Sequence, residues 1–237
     1  MIIAERKAFN QIWDSTKELH KVLILGCGTC VAVCQAGGEK EVGLLASELR
    51  MKSHLEGKEI IFGEATIERQ CDREFFDSIK DKAKEYDAIL SMACGAGVQY
   101  SAEVLEPVRC IPALNTRFIG VTEQEGHWAE RCRACGNCVL SDYGGICPMT
   151  ICAKSLFNGP CGGSRNGKCE AGQEKDCAWV LIYNRLKKQN RLDTMQNFAI
   201  KVKDYSTQTH PGRLINEAYV KPEPEEKSGK QPSQASL

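Results

Sequence analysis

"KVLILGCGTCVAVCQAGGEKEV", Lys21 to Val42, decides the fold. Its first six residues are a short apolar run stopped by glycine, the pattern of a buried strand. After the glycines and cysteines, "GEKEVGLLASELRMK" (38–52) sets Val42, Leu44, Leu45 and Leu49 on one side of an amphipathic helix. The alternation repeats downstream. "EIIFGEATIE" (59–68) reads as a strand, "DREFFDSIKDKAKEY" (72–86) as a helix and "DAILSMA" (87–93) as a strand. "SAEVLEP" (101–107) reads as helical and "CIPAL" (110–114) as a short strand. Upstream, Phe9, Ile12, Trp13 and Leu19 recur at helical spacing and predict a helix over 5–20. Strands alternating with helices predict an α/β domain over residues 1–126, built on a Rossmann-like open parallel sheet of Rossmann or flavodoxin type.

Beyond Gly126 the composition changes. Residues 127 to about 174 are rich in Gly, Cys and small polar residues, with little apolar periodicity. Such a segment cannot bury enough surface to hold itself together, and metal coordination can supply the missing free energy. A helix is predicted over Cys177–Phe198, with Trp179, Ile182, Tyr183 and Leu186 as its apolar stripe. The reading is therefore a small Cys-rich metal-binding domain with a C-terminal helix over 127–203. Residues 204–237, polar and rich in Pro and Ser, are expected to be extended or disordered.

The chain holds 14 cysteines, and their purpose largely decides the function. There is no charged-then-apolar leader and no run of about 18 apolar residues, which excludes a membrane span. The expected location is the cytoplasm, where stable disulfides are rare, so clustered cysteines read as metal ligands. Lys plus Arg and Asp plus Glu balance at 31 each, and no basic stretch interleaves with aromatics, so nucleic-acid binding is not expected.

Cys27, Cys30 and Cys34 form C-x2-C-x3-C at the carboxyl end of the first parallel strand, where open α/β sheets bind ligands. Gly26-Cys27-Gly28 opens like a dinucleotide fingerprint, but Val31 stands at the third glycine position and breaks it. The same turn suits an anionic [4Fe-4S] cluster, since backbone N–H groups and a helix start favour negative charge and tune the sulfurs. A fourth thiolate is expected from another strand end, Cys71 in "ERQCD" or Cys94 in "SMACGAG". Cys110 opens a strand at the opposite edge and reads as structural.

Cys132, Cys135 and Cys138 form C-x2-C-x2-C, the opening of a bacterial ferredoxin run; Cys147-Pro148 follows after a stretched gap of eight residues. Cys152, Cys161, Cys169 and Cys177 contain no C-x2-C knuckle, so a zinc ribbon is poorly matched. These four can hold a second cluster or a structural zinc, and the thiolate-only set favours iron–sulfur. The four histidines, His20, His54, His127 and His210, fall in no catalytic motif, and no HExxH, GxSxG or Walker loop occurs. No catalytic residue is predicted.

"LGCGTCVAVCQAGGEKEV", "SMACGAGVQ", "PALNTRFIG" and the run from "RCRACGNCVL" through "GICPMTICAKSLFNGPCGG" to "DCAW" resemble the iron–sulfur small subunit of two-subunit methylenetetrahydrofolate reductase. The resemblance covers roughly residues 5 to 200, and the Gly159-Pro160-Cys161-Gly162-Gly163 segment with its flanking cysteines is quite specific. It implies an electron conduit and scaffold beside a flavin-containing (β/α)8-barrel catalytic subunit in one-carbon metabolism of the reductive acetyl-CoA pathway. It also leaves room for further electron-transfer subunits. Two or more [4Fe-4S] clusters are expected, with zinc possible at one site of the Cys-rich domain. The competing readings are a zinc-stabilised scaffold and a free ferredoxin-like carrier.

Overall fold

The structure, a computed structural model, describes residues 1–196, 200–208 and 210–219. Strand β1 (Ile2–Arg6) is followed by helix α1 (Phe9–Thr16), strand β2 (Lys21–Cys27) and the short helix α2 (Cys30–Val33). Helix α3 (Glu39–Leu55) leads to β3 (Ile61–Ile67), α4 (Lys80–Ala83), β4 (Ala88–Met92), α5 (Gly95–Val104) and β5 (Arg109–Pro112). The long hairpin β6 (Leu114–Gln124) and β7 (His127–Cys132) turns at Gly126, the predicted boundary. Then come α6 (Pro148–Ile151), β8 (Lys168–Cys169), β9 (Gly172–Asp176), α7 (Ala178–Lys188) and α8 (Asp193–Gln196). Among the described residues no helix is long and apolar enough to cross a membrane.

The central sheet is parallel with order β3-β2-β4-β5. The first parallel strand, β2, is therefore internal, and the chain leaves it to one side for β3 and returns to the other for β4. That reversal is a topological switch point at the carboxyl ends of β2 and β4. β2 is buried on both faces, as a continuous apolar run requires. Val22 and Ile24 face a core shared with Val42, Leu45 and Leu49 of α3 and with Ile12 and Trp13 of α1. Leu23 and Leu25 face the opposite core, with Phe76, Ile79, Ala83 and Leu105. The mixed α/β architecture thus has a parallel sheet covered on both sides, as expected.

A second sheet, β1-β6-β7, is antiparallel. The helix predicted from residue 5 begins only at Phe9, because Ile3 and Ala4 are buried in strand β1 against β6. Three apolar residues ahead of a charged stretch carry no period of their own; pairing with a partner strand decides them. The helix predicted over 72–86 is split into a 3-10 turn at Arg73–Phe76 and α4. Ser78 Oγ donates to the Phe75 carbonyl at 3.2 Å, a local bond that competes with the helical ladder. Phe76, Ile79 and Ala83 still keep the apolar stripe. The helix predicted over 101–107 starts earlier, at Gly95.

Residues 127–176 do take part in a small apolar core, which the sequence reading did not expect. Tyr143, Cys152, Ala178, Trp179, Ile182 and Leu186 are buried together, α7 supplying four of the six. The helix predicted over 177–198 ends at Lys188, where Asn190 takes a left-handed φ of 53°, and restarts as α8. Its last predicted residues, 197 and 198, lie outside the described residues. Residues 200–208 return over the Cys-rich segment: Asn158 Nδ2 donates to the Lys201 carbonyl and the Lys201 N–H to Asn158 Oδ1, both at 2.8 Å. Of the tail expected to be extended or disordered, 209 and 220–237 lie outside the described residues.

Candidate metal centre

Three parallel strand ends bring thiols to one edge of the sheet. Cys27 is the last residue of β2 and Cys30 the first of α2. Cys71 lies in the loop after β3, and Cys94 is the N-cap residue of α5. The loop between β2 and α3 can fold this tightly because Gly37 has no side chain: a Cβ there would stand 1.9 Å from the Met92 carbonyl oxygen. Cys94 stands at the N-terminal end of α5, its backbone still extended.

The charges of Cys27, Cys94 and Cys30 all act on Cys71. Although the residue is largely exposed, partial burial of its thiol, followed by repulsion from these three sulfurs, pushes it above the ordinary range. Cys27, Cys30, Cys71 and Cys94 therefore form one electrostatic neighbourhood. The sequence left Cys71 and Cys94 as alternatives, and the structure brings both to it. Cys27 Sγ lies 3.8 Å from both Thr29 Oγ1 and the Glu68 carbonyl.

Cys34 is placed differently. It is 4% exposed and its thiol donates to the Ala4 carbonyl at 3.5 Å and to Val31 at 3.6 Å, beneath strand β1. Burial pushes its thiol up, with a smaller contribution from Cys30. Cys110 sits on edge strand β5, partly buried, where burial pushes its thiol up to about 11.

In the second group, Cys132 ends β7 and the Cys132–Cys138 loop curls through left-handed Ala134 and Gly136. Such a curl turns backbone donors inward. The Ala134 N–H donates to Cys132 Sγ at 3.3 Å, and the Gly163 N–H to Cys161 Sγ at 3.4 Å. N–H donors to sulfur are the contacts that stabilise a thiolate ligand and tune a cluster. Cys135 Sγ lies 3.9 Å from the Asn137 carbonyl. Lys203, nearly buried, also donates to that carbonyl, so the returning C-terminal arm is fixed to this loop.

Cys147 and Cys177 are the N-cap residues of α6 and α7, Cys152 lies in the small core, and Cys169 ends β8. A cleft of about 830 Å³ passes Cys147 and Cys152 and is flanked by Arg131 and Arg133. Among the described residues no group of three or more His, Cys, Asp or Glu side chains is closed to the spacing of a bound metal ion. The donor chemistry of both groups, thiols without histidine, joined in the second by backbone N–H donors to sulfur, fits iron–sulfur ligation.

Two residues that matter to these sites gave no signal in the sequence. Gln70, next to Cys71, is fully buried, and Lys203 reaches the cysteine loop from 66 residues away. Neither belongs to a motif; only the folded chain brings them there.

Residues 111–206 match a protein family described as methylene-tetrahydrofolate reductase C terminal. The match contains all eight cysteines from Cys132 to Cys177, whereas Cys27, Cys30, Cys71 and Cys94 lie outside it. No curated protein and no solved structure matches the chain.

Proposed function

We propose that this chain is the iron–sulfur subunit of a methylenetetrahydrofolate reductase complex, passing electrons to or from the flavin of a separate catalytic subunit. The family match over residues 111–206 supports association with that reductase. The observation that carries the redox role is the convergence of Cys27, Cys30, Cys71 and Cys94 at the switch point of a parallel sheet. Four thiols from three strand ends are a complete ligand set for one [4Fe-4S] cluster. Such a cluster, when bound, exchanges single electrons, which a flavin can combine into a two-electron reduction.

The residues of the chain hold and insulate such a centre. Cys94 is presented from the start of α5, where it is the N-cap residue. Leu25, Met92 and Ala93, at the strand ends that lead to Cys27 and Cys94, are fully buried. This reading leaves Cys34 out of the ligand set, since its thiol donates to the Ala4 carbonyl beneath β1. In the Cys-rich segment, Cys132, Cys135, Cys138 and Cys147 hold a second cluster, while Cys152, Cys161, Cys169 and Cys177 take a further cluster or zinc.

The chain contributes no acid–base pair for folate chemistry, and Val31 breaks the dinucleotide loop. Alone it turns over no folate. The test is reconstitution with the catalytic subunit. Replacing Cys30 by Ser should slow flavin reduction by a one-electron donor, yet spare methyltetrahydrofolate oxidation by an acceptor that reaches the flavin directly. Equal loss in both assays from an intact complex contradicts the redox role.

A further inference from the structure

A fully buried amide stands directly beside the exposed Cys71. Gln70 is 0% exposed, and its Nε2 donates to the Leu25 carbonyl at 2.8 Å. Its Oε1 accepts from Ser91 Oγ at 2.6 Å and from Ser101 Oγ at 3.0 Å. Both serines are themselves fully buried. The amide has one satisfactory orientation, because flipping it would set its oxygen against the Leu25 carbonyl oxygen. A buried amide without these bonds would be costly, and an apolar side chain would fill the space more simply.

The partners of this amide explain its use. Leu25 lies on β2, two residues before Cys27. Ser91 lies on β4, three residues before Cys94, and Ser101 on α5, the helix that Cys94 caps. Gly97 of α5 makes room: a Cβ there would stand 2.7 Å from Ala93 Cβ and 3.1 Å from Gln70 Cβ. The loop after β3 is thus fastened to the strands that carry the other thiols. We propose that Gln70 is the positioning residue of the first thiol group, clamping the Cys71 loop to β2 and β4 so that Cys71 faces Cys27, Cys30 and Cys94. The use of that placement as a cluster site rests on the function proposed above; the placement itself does not.

The test uses the full-length, metal-free, reduced chain and dibromobimane, a reagent that bridges neighbouring thiols, with mass mapping of the bridged pairs. Gln70→Ala strands two buried hydroxyls and can unfold the domain. The deciding variant is therefore Gln70→Met combined with Ser91→Ala and Ser101→Ala, since removing all the side-chain partners together costs little. In it, bridging of Cys71 to Cys27, Cys30 or Cys94 should fall about tenfold, the loss expected when an oriented pair becomes a loose one. Cys27–Cys30 bridging should persist and buried Cys34 should stay unlabelled. Gln70→Glu, protonated in this apolar site, can make all three bonds and should retain bridging.

Unchanged Cys71 bridging in the folded triple variant overturns the proposal, as does a wild-type chain in which Cys71 bridges to none of the three. Labelling of Cys34 in the triple variant would mark Gln70 as a core residue only and overturns it too. Iron analysis after anaerobic reconstitution separates the two levels. If the wild-type first group takes no iron while the bridging result holds, the positioning role stands and the cluster reading fails.

Discussion

Burial holds the Cys110 thiol at about 11 against an ordinary 9.0, and no other group contributes to the shift. The thiolate is the reactive form, so at pH 8 alkylation of Cys110 should be about 100-fold slower than that of a free thiol, before any loss of access. The rate should climb as pH rises toward 11; time-resolved alkylation with mass detection checks this. Cys34 and Cys71 supply a second test. Cys34→Ala removes a buried small hydrophobe and should cost about 1 kcal/mol of stability while leaving the iron content unchanged. Cys71→Ser should leave stability nearly unchanged and lose iron from the first group. Spacing grouped Cys27, Cys30 and Cys34, because three thiols in eight residues look like one ligand set. It could not show that Cys34 turns under β1, since the N-terminal strand was invisible without its partner β6.

At the level of elements, the crossover from β2 to α3 is set by close packing. Gly37→Ala would drive a methyl group into the Met92 carbonyl, a backbone atom that cannot step aside. It should destabilise the α/β domain by about 1–3 kcal/mol, the ordinary cost of overpacking, measurable by urea unfolding. The parallel strands were legible from the sequence, because β2 and β4 are short apolar runs bounded by glycines or polar residues. The Cys-rich segment was less so. Its small core depends on α7, where Trp179 packs edge-on against Tyr143 at 5.8 Å and donates from Nε1 to the Leu156 carbonyl at 3.1 Å. Trp179→Ala should cost about 3–5 kcal/mol there. Limited proteolysis of that variant should cut first within 127–176 and leave the α/β domain whole.

Across the whole molecule, cysteines that are far apart in sequence converge where the sheet topology reverses. The sequence carried the strand order only implicitly, so it left Cys71 and Cys94 as alternatives; in the fold Cys27, Cys94 and Cys30 all act electrostatically on Cys71. The same topology puts Cys71, an exposed residue, at that edge of the sheet. The claim on which the rest depends is that these thiols carry iron and sulfide. The most direct measurement is anaerobic iron, zinc and acid-labile sulfide analysis of the full chain purified with its partner, repeated on Cys94→Ser. The account predicts at least about eight irons and eight sulfides per chain, one [4Fe-4S] centre or more in the Cys-rich segment beside the first, with about four irons lost in the variant. Zinc without sulfide in the wild-type chain, or a variant that keeps every iron, would contradict it.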